Sequence, residues 1–134
     1  MNYEGEIIEE SLRNPAILKL LHITSARVEP VTAVHRTPWL KQWTLHTVSV
    51  PPAQAEALAE QLSHEIETSH QAWYIDFKNS TTHYIIFSDK VFKIDRRKAG
   101  QYQAATDYGL TLGIPPYQLD FAPNIVQWQR PAEK

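Results

Sequence analysis

At 134 residues with a formal net charge of -2, the chain has the length of one domain and carries no basic excess to hold nucleic acid or an anionic membrane. Its 43% hydrophobic and 21% charged residues are the mixture found in soluble globular domains. Cysteine is absent, which excludes disulfide frameworks, thiolate nucleophiles, cysteine-based zinc sites and iron–sulfur clusters, and leaves oxygen and nitrogen chemistry.

The first residues, MNYEGEIIEESL, lack a basic region followed by an apolar stretch, and no run approaches the ~18 apolar residues of a membrane span. A cytoplasmic address is the expectation. Residues 4–12 predict a half-exposed strand, with Ile7 and Ile8 among four glutamates. Asn14-Pro15 predicts a helix start, since Asn accepts from free backbone donors and proline's missing N–H costs nothing in the first turn. AILKLLHI extends that helix for about two turns, with Ile17, Leu20 and Leu21 toward the core. ITSARVEPVTAV, 23–34, is β-branched and broken by Pro30, which predicts an edge strand. HRTPWLKQ reads as a loop, and WTLHTVSV, 43–50, alternates as a strand ending at Pro51-Pro52.

From Pro52 to about Ser69, Ala55, Leu58, Ala59, Leu62 and Ile66 recur at helical spacing. Trp73, Ile75 and Phe77 then alternate with Tyr74, Asp76 and Lys78. KNST turns the chain, HYIIF returns, SDK turns again and VFKI completes a three-stranded meander. Asp95 reads as the cap of a last helix with Tyr102, Ala105, Gly109 and Leu112 on one face. Gly113, Ile114 and Pro115 supply the left-handed residue, the fold-back and the stop of a helix C-terminus. From about residue 115 the chain is expected to be irregular, with Tyr117, Leu119, Phe121 and Trp128 tying it to the body.

The order strand, helix, strand, strand, helix, strand predicts an α+β single domain over 1–134: a ferredoxin-like split β-α-β sandwich, with an added β-hairpin and a C-terminal helix. If the first two helices cover one face, the other is left bare, and Tyr74 with Trp43 and Leu45 would form an apolar patch on it. A two-fold homodimer through that open face follows as the expectation.

Chemistry is sparsely signalled. Histidines at 22, 35, 46, 64, 70 and 83 lack metal-ligand spacing, so neither a metal nor a cofactor is expected. The four separated glycines form no phosphate-cradling loop, and no G-x-S-x-G elbow is present. LHTVSV departs from a two-histidine phosphoesterase motif, because Val48 stands where a hydroxyl is needed. In a ferredoxin-like sheet the first strand lies between the third and fourth, which would set Glu9 or Glu10 between His46 and Asp76. A carboxylate beside an imidazole, His46 or His83, could orient it as a general base; the alternative is packed histidines and solvated acids. Arg36, Trp39, Lys41 and Trp43, with Tyr74, make the best candidate ligand-binding set, aromatic faces beside cations on a loop entering a strand. They could equally close one end of the core. The basic KIDRRK follows an aromatic meander like a single-strand nucleic-acid platform, yet the RNA-binding signature is missing and a solvated turn is favoured.

Through GEIIEESL, TPWLKQWTLHTV, WYIDFKN…HYIIFSDKVFKID and YGLTLGIPPYQLDF, most of the chain resembles a group of short bacterial proteins with no activity attached. The resemblance implies a bacterial cytosolic setting and a stand-alone domain, and it supplies no site residues. Two functions are therefore carried forward. One is a non-catalytic module binding a small ligand or a protein partner. The other is a small cofactor-independent enzyme using His46 or His83 with Glu9, Glu10 or Asp76.

Overall fold

The computed structural model describes residues 2–32, 40–68, 72–98, 100–114 and 119. Six strands, β1 (Tyr3–Ile8), β2 (His22–Pro30), β3 (Gln42–Val50), β4 (Tyr74–Lys78), β5 (Thr82–Phe87) and β6 (Lys90–Asp95), form one sheet in the order β2-β3-β1-β4-β5-β6. Every neighbouring pair is antiparallel. Helices α1 (Pro52–Ser63) and α2 (Gly100–Thr111) complete the α+β domain. The placement of β1 between β3 and β4, with β2 outermost, is the ferredoxin-like split β-α-β order. The β5–β6 hairpin and α2 are added to it.

The first crossover differs from the expected α-helix. Asn14 does accept from the Ala16 amide at 3.1 Å, but the segment it opens, Pro15–Leu20, is a 3-10 helix. Ile17 and Leu18 are buried, while Leu20 stands 59% exposed, so the face turned to the core is not the one that α-helical spacing predicts. Leu21 is half-buried against the core. The first strand is also shorter than 4–12: the chain leaves the sheet after Ile8 in a 3-10 turn, Glu9–Ser11, closed by Ser11 Oγ donating to the Ile8 carbonyl at 2.6 Å.

Helix α1 stops at Ser63, short of the expected Ser69. Ile66 is nonetheless fully buried, because it forms a β-bridge with Leu12 beyond the helix end. Pro51-Pro52 starts this helix without a side-chain cap, proline's fixed φ suiting the first turn. Its apolar stripe, Ala55, Leu58, Ala59 and Leu62, packs with Tyr3, Val48, Val50, Ile75, Phe77, Tyr84 and Ile86 in one cluster. Tyr3 meets Phe77 and Tyr84 edge-on at 5.7 and 5.3 Å, a geometry that aligns ring edges with π faces.

The last helix begins at Gly100, so Asp95 is no cap. It closes β6, and its carboxylate accepts from the Arg97 amide, Nε and Nη2, each at 3.0 Å. Those hydrogen bonds from Arg97 pull the Asp95 carboxyl down to about 2. Arg96 and Arg97 thus form a turn rather than a helix start. The far end of α2 agrees with the sequence. Gly113 has φ +87°, its amide donates to Leu110 and the Ile114 amide to Gly109, at 3.0 and 3.1 Å, the paired bonds of a Schellman stop. Leu119 is buried against Gly109, where an added Cβ would meet its Cδ2 at 2.6 Å. Tyr117, Phe121 and Trp128 lie outside the described residues.

Helix α2 occupies the sheet face opposite α1. Its Tyr102 and Ala105 form a second cluster with Ile85, Phe87, Ile94, Ile114 and Leu119, and Tyr74 packs half-buried at its margin. The outer face of the meander is therefore covered rather than bare. Over β1–β3 the same face is mostly polar: the register sets Ser49, Glu4 and Lys78 in one row and Ser25, Thr47, Glu6 and Asp76 in the next. Trp43 and Leu45 are both 3% exposed. The expected apolar patch of Tyr74, Trp43 and Leu45 does not form, because each of these side chains is taken into packing. Antiparallel sheets tolerate a solvated polar face.

Where β1 meets β4 the two backbones run close. A Cβ on Gly5 would lie 2.1 Å from the Asp76 carbonyl oxygen and 2.9 Å from the Phe77 Cα. Backbone atoms in mid-sheet cannot move aside cheaply. Gly5→Ala is expected to destabilise the fold by about 3 kcal/mol, read as a lower urea midpoint, whereas Gly100→Ala, which meets nothing within 4 Å, is expected to be tolerated.

Candidate functional site

The register sets His83 of β5 opposite Lys78 of β4, and Asp76 two residues along on the same face. Strand alternation puts both on the face that α2 covers. His83 Nε2 lies 2.6 Å from Asp76 Oδ2, and its Nδ1 lies 3.0 Å from the Tyr102 hydroxyl of α2. An ionised carboxylate only accepts, so Nε2 carries the proton toward Asp76; in the neutral imidazole Nδ1 then accepts from the Tyr102 O–H. Tyr102 also packs edge-on to the imidazole at 5.5 Å. Burial pushes the Tyr102 phenol above its ordinary range and the Asp76 charge adds to this, while neighbouring Arg96 draws it down. Lys78 is held below the usual lysine range, first by burial and also by Arg96, against the pull of Asp76. Arg96 itself donates to the Asn79 carbonyl, tying the β4–β5 turn to this cluster.

A second imidazole–carboxylate pair forms at the other end of the sheet. The 3-10 turn after β1 brings Glu9 Oε1 to 2.9 Å from His46 Nε2 on β3. Glu10 from the same turn accepts from the Thr44 amide at 2.7 Å and from its hydroxyl at 2.9 Å. That carboxylate is engaged as a clamp between turn and strand. His46 Nδ1 is buried without a hydrogen-bond partner among the described residues.

Each pair has its acid outside and its base inside. The side chain of His83 is 2% exposed against 20% for Asp76, and that of His46 is 13% exposed against 40% for Glu9. A histidine general base presents one nitrogen to the substrate while a carboxylate behind it orients the ring. Here the carboxylates face solvent, and both His83 nitrogens are occupied. The arrangement holds elements together: Asp76–His83–Tyr102 links β4, β5 and α2, and Glu9–His46 links the turn to β3.

The sequence candidates are thus only partly assembled. Asp76 pairs with His83 rather than sharing Glu9 or Glu10 with His46, because Asp76 lies on the α2 face and His46 faces the opposite side with Ile7. Trp43 meets Trp73 edge-on at 5.5 Å in the first core cluster, Tyr74 belongs to the second, and Lys41 is exposed. These three do not form one site. Arg36 and Trp39 lie outside the described residues. Tyr102 and Arg96 were missed as members of the His83 cluster. Tyr102 reads simply as one of an apolar helical stripe, and only the packing of α2 brings its hydroxyl to the imidazole.

Among the described residues no group of three or more His, Asp and Glu could hold a metal ion, and no helix is long and apolar enough to cross a membrane. No family model, curated protein or solved structure matches the chain.

Tyr102→Phe removes the hydroxyl that serves His83 Nδ1, and a loss of about 1–2 kcal/mol is expected in urea unfolding at neutral pH. The same substitution tests the raised phenol. Below pH ~10 neither folded nor unfolded Tyr102 ionises, so its contribution is intact. As pH rises further the unfolded chain ionises first, and stability falls until the folded phenol follows. The alkaline loss of stability should therefore be shallower in Tyr102→Phe than in the parent, with the opposite-signed contribution of Lys78 and that of Tyr84, whose phenol burial likewise raises, common to both.

Proposed function

We propose that this chain is a non-catalytic protein-binding module that takes a strand from its partner at the β2 edge. One observation carries this reading: β2 is a nine-residue edge strand in which every residue but Glu29 is exposed. Val28 and Ile23 are 56% and 37% exposed on it. Among the described residues β2 pairs only with β3. An edge strand offers unpaired backbone donors and acceptors to any extended segment that can lie beside it. The opposite edge, β6, is guarded by exposed Lys90 and Lys93, a usual means of discouraging strand addition. A homodimer remains the simplest assembly, moved from the polar open face to this edge, in the bacterial cytosolic setting implied by the sequence resemblance.

A second reading, proton-transfer chemistry in a small cofactor-independent enzyme, draws on the close Asp76–His83 contact. Its difficulty is the order of the groups, with the imidazole inside. A small ligand held by Arg36, Trp39 and Lys41 is a third source of binding, and the burial of Trp43 takes one aromatic face away from it.

Val28→Pro tests the strand-addition reading. Native mass spectrometry of the purified parent is expected to show the chain joined to a second polypeptide, with Val28→Pro running as the bare chain at unchanged circular dichroism. A bare parent, or an assembly that ignores Val28→Pro, would overturn the reading.

A further inference from the structure

We infer that the strand donor at the β2 edge is a second copy of this chain, added antiparallel about a two-fold axis through Val28. The inference rests on the strand-addition reading and identifies its partner. It begins with which backbone groups point outward. In an antiparallel ladder successive residues alternate between pointing N–H and C=O toward one neighbour and toward the other. The Val31 amide donates to Lys41 at 3.0 Å, so residue 31 points inward to β3 and its extension. Thr44, the β3 partner of Val28, turns its amide the other way, to Glu10. The Val28–Thr44 pair is therefore a wide pair, and Ala26, Val28 and Pro30 direct their main-chain groups away from the sheet. Proline has no N–H to offer there, which is why Pro30 is accommodated without loss to the β2–β3 ladder.

Two-fold pairing of this edge admits few registers. Centred on Arg27, it sets Arg27 against Arg27; centred on Glu29, it sets Glu29 against Glu29. Directly opposed like charges are destabilising. Centred on Ala26, it runs Val28 against Thr24, where the β2 register is broken by the irregularity between Ile23 and Ser25. Centred on Val28, it sets Arg27 of each copy against Glu29 of the other, places Val28 on Val28, and sets Ala26 against Pro30. Two hydrogen bonds join the Val28 residues and one, donated by Ala26, joins each Ala26–Pro30 pair. Pro30 ends the ladder there.

The side chains agree with this register. Arg27 and Glu29 lie two apart on one face of the strand, and the charge of Glu29 already raises the Arg27 pKa, behind the larger effect of the Glu6 hydrogen bond. Glu6 holds Arg27 Nη1 at 2.7 Å on the face opposite α1, which orients the guanidinium while its other nitrogens remain able to reach a second carboxylate. Val28, 56% exposed in one chain, gains an apolar partner on the α1 side.

Charge reversal at two positions tests both the partner and the register. By sedimentation across a concentration series the parent is expected to dimerise, Arg27→Glu alone and Glu29→Arg alone to dissociate at least tenfold more readily, and an equimolar mixture of the two variants to recover a heterodimer. Because the chain has no cysteine, Val28→Cys should also cross-link to a dimer under mild oxidation, while Ser25→Cys should not. A parent complexed with a different polypeptide would overturn this inference and leave strand addition standing. So would a dimer that is lost in Val28→Pro but indifferent to charge reversal, since its register would be another one. A parent that stays monomeric, or a dimer untouched by Val28→Pro, would overturn both.

Discussion

The structure depends on β1. Its six residues, Tyr3–Ile8, pair with β3 on one side and with β4 on the other, and among the described residues they are the only strand joining the β2–β3 block to the β4–β5–β6 meander in the sheet. Remove that strand and a two-stranded and a three-stranded antiparallel piece remain, no longer joined through the ladder. The pairing requires the two neighbours to approach closely, and Gly5, opposed by backbone atoms of Asp76 and Phe77, is what allows it. Tyr3 and Ile7 then reach the α1 side, where they join the core, while Glu4 and Glu6 stay on the other.

From that strand the polar interior follows. The chain turns sharply after Ile8, which carries Glu9 and Glu10 back onto β3, one to His46 and the other to Thr44. At the opposite side of the sheet Asp76, the neighbour of Glu6 across the β1–β4 ladder, is drawn to His83 and through it to Tyr102. Carboxylates at the rim meet one nitrogen of each imidazole beneath them while leaving the charge partly hydrated, the less costly way to place an acid near a core. This ordering also weighs against catalysis by either histidine.

The two edges of the sheet were treated differently. At β6 lysines stand on the outer strand, whereas at β2 the outward backbone groups are left among small, β-branched and oppositely charged residues. Pro30 and the irregularity near Thr24 confine any added strand to a short middle stretch. Such limits narrow the possible registers without abolishing pairing, and they are consistent with an edge meant for one partner rather than for open-ended aggregation.

What the sequence determined by itself was the set of strands, α1, the ferredoxin-like order, the helix stop at Gly113 and the core alternation of Trp73, Ile75 and Phe77. These are recorded locally, in two- and 3.6-residue periods and in turn chemistry that neighbours in the chain impose on one another. The 3-10 form of Pro15–Leu20 was not legible, because Asn14-Pro15 opens either kind of helix and the choice falls to which residues the core accepts. Ile66 continued a helical pattern while serving a β-bridge. Which carboxylate would meet which histidine, and whether α2 would cover the outer face, were decided only by tertiary structure. Glu9 reaches His46 through a turn whose direction no local signal records. Tyr102 reaches His83 through a helix docked from the far side of the meander, where the apolar surfaces of Ile85, Phe87 and Ile94 had to be buried by something, and the sequence of α2 does not say on which face of the sheet it will lie.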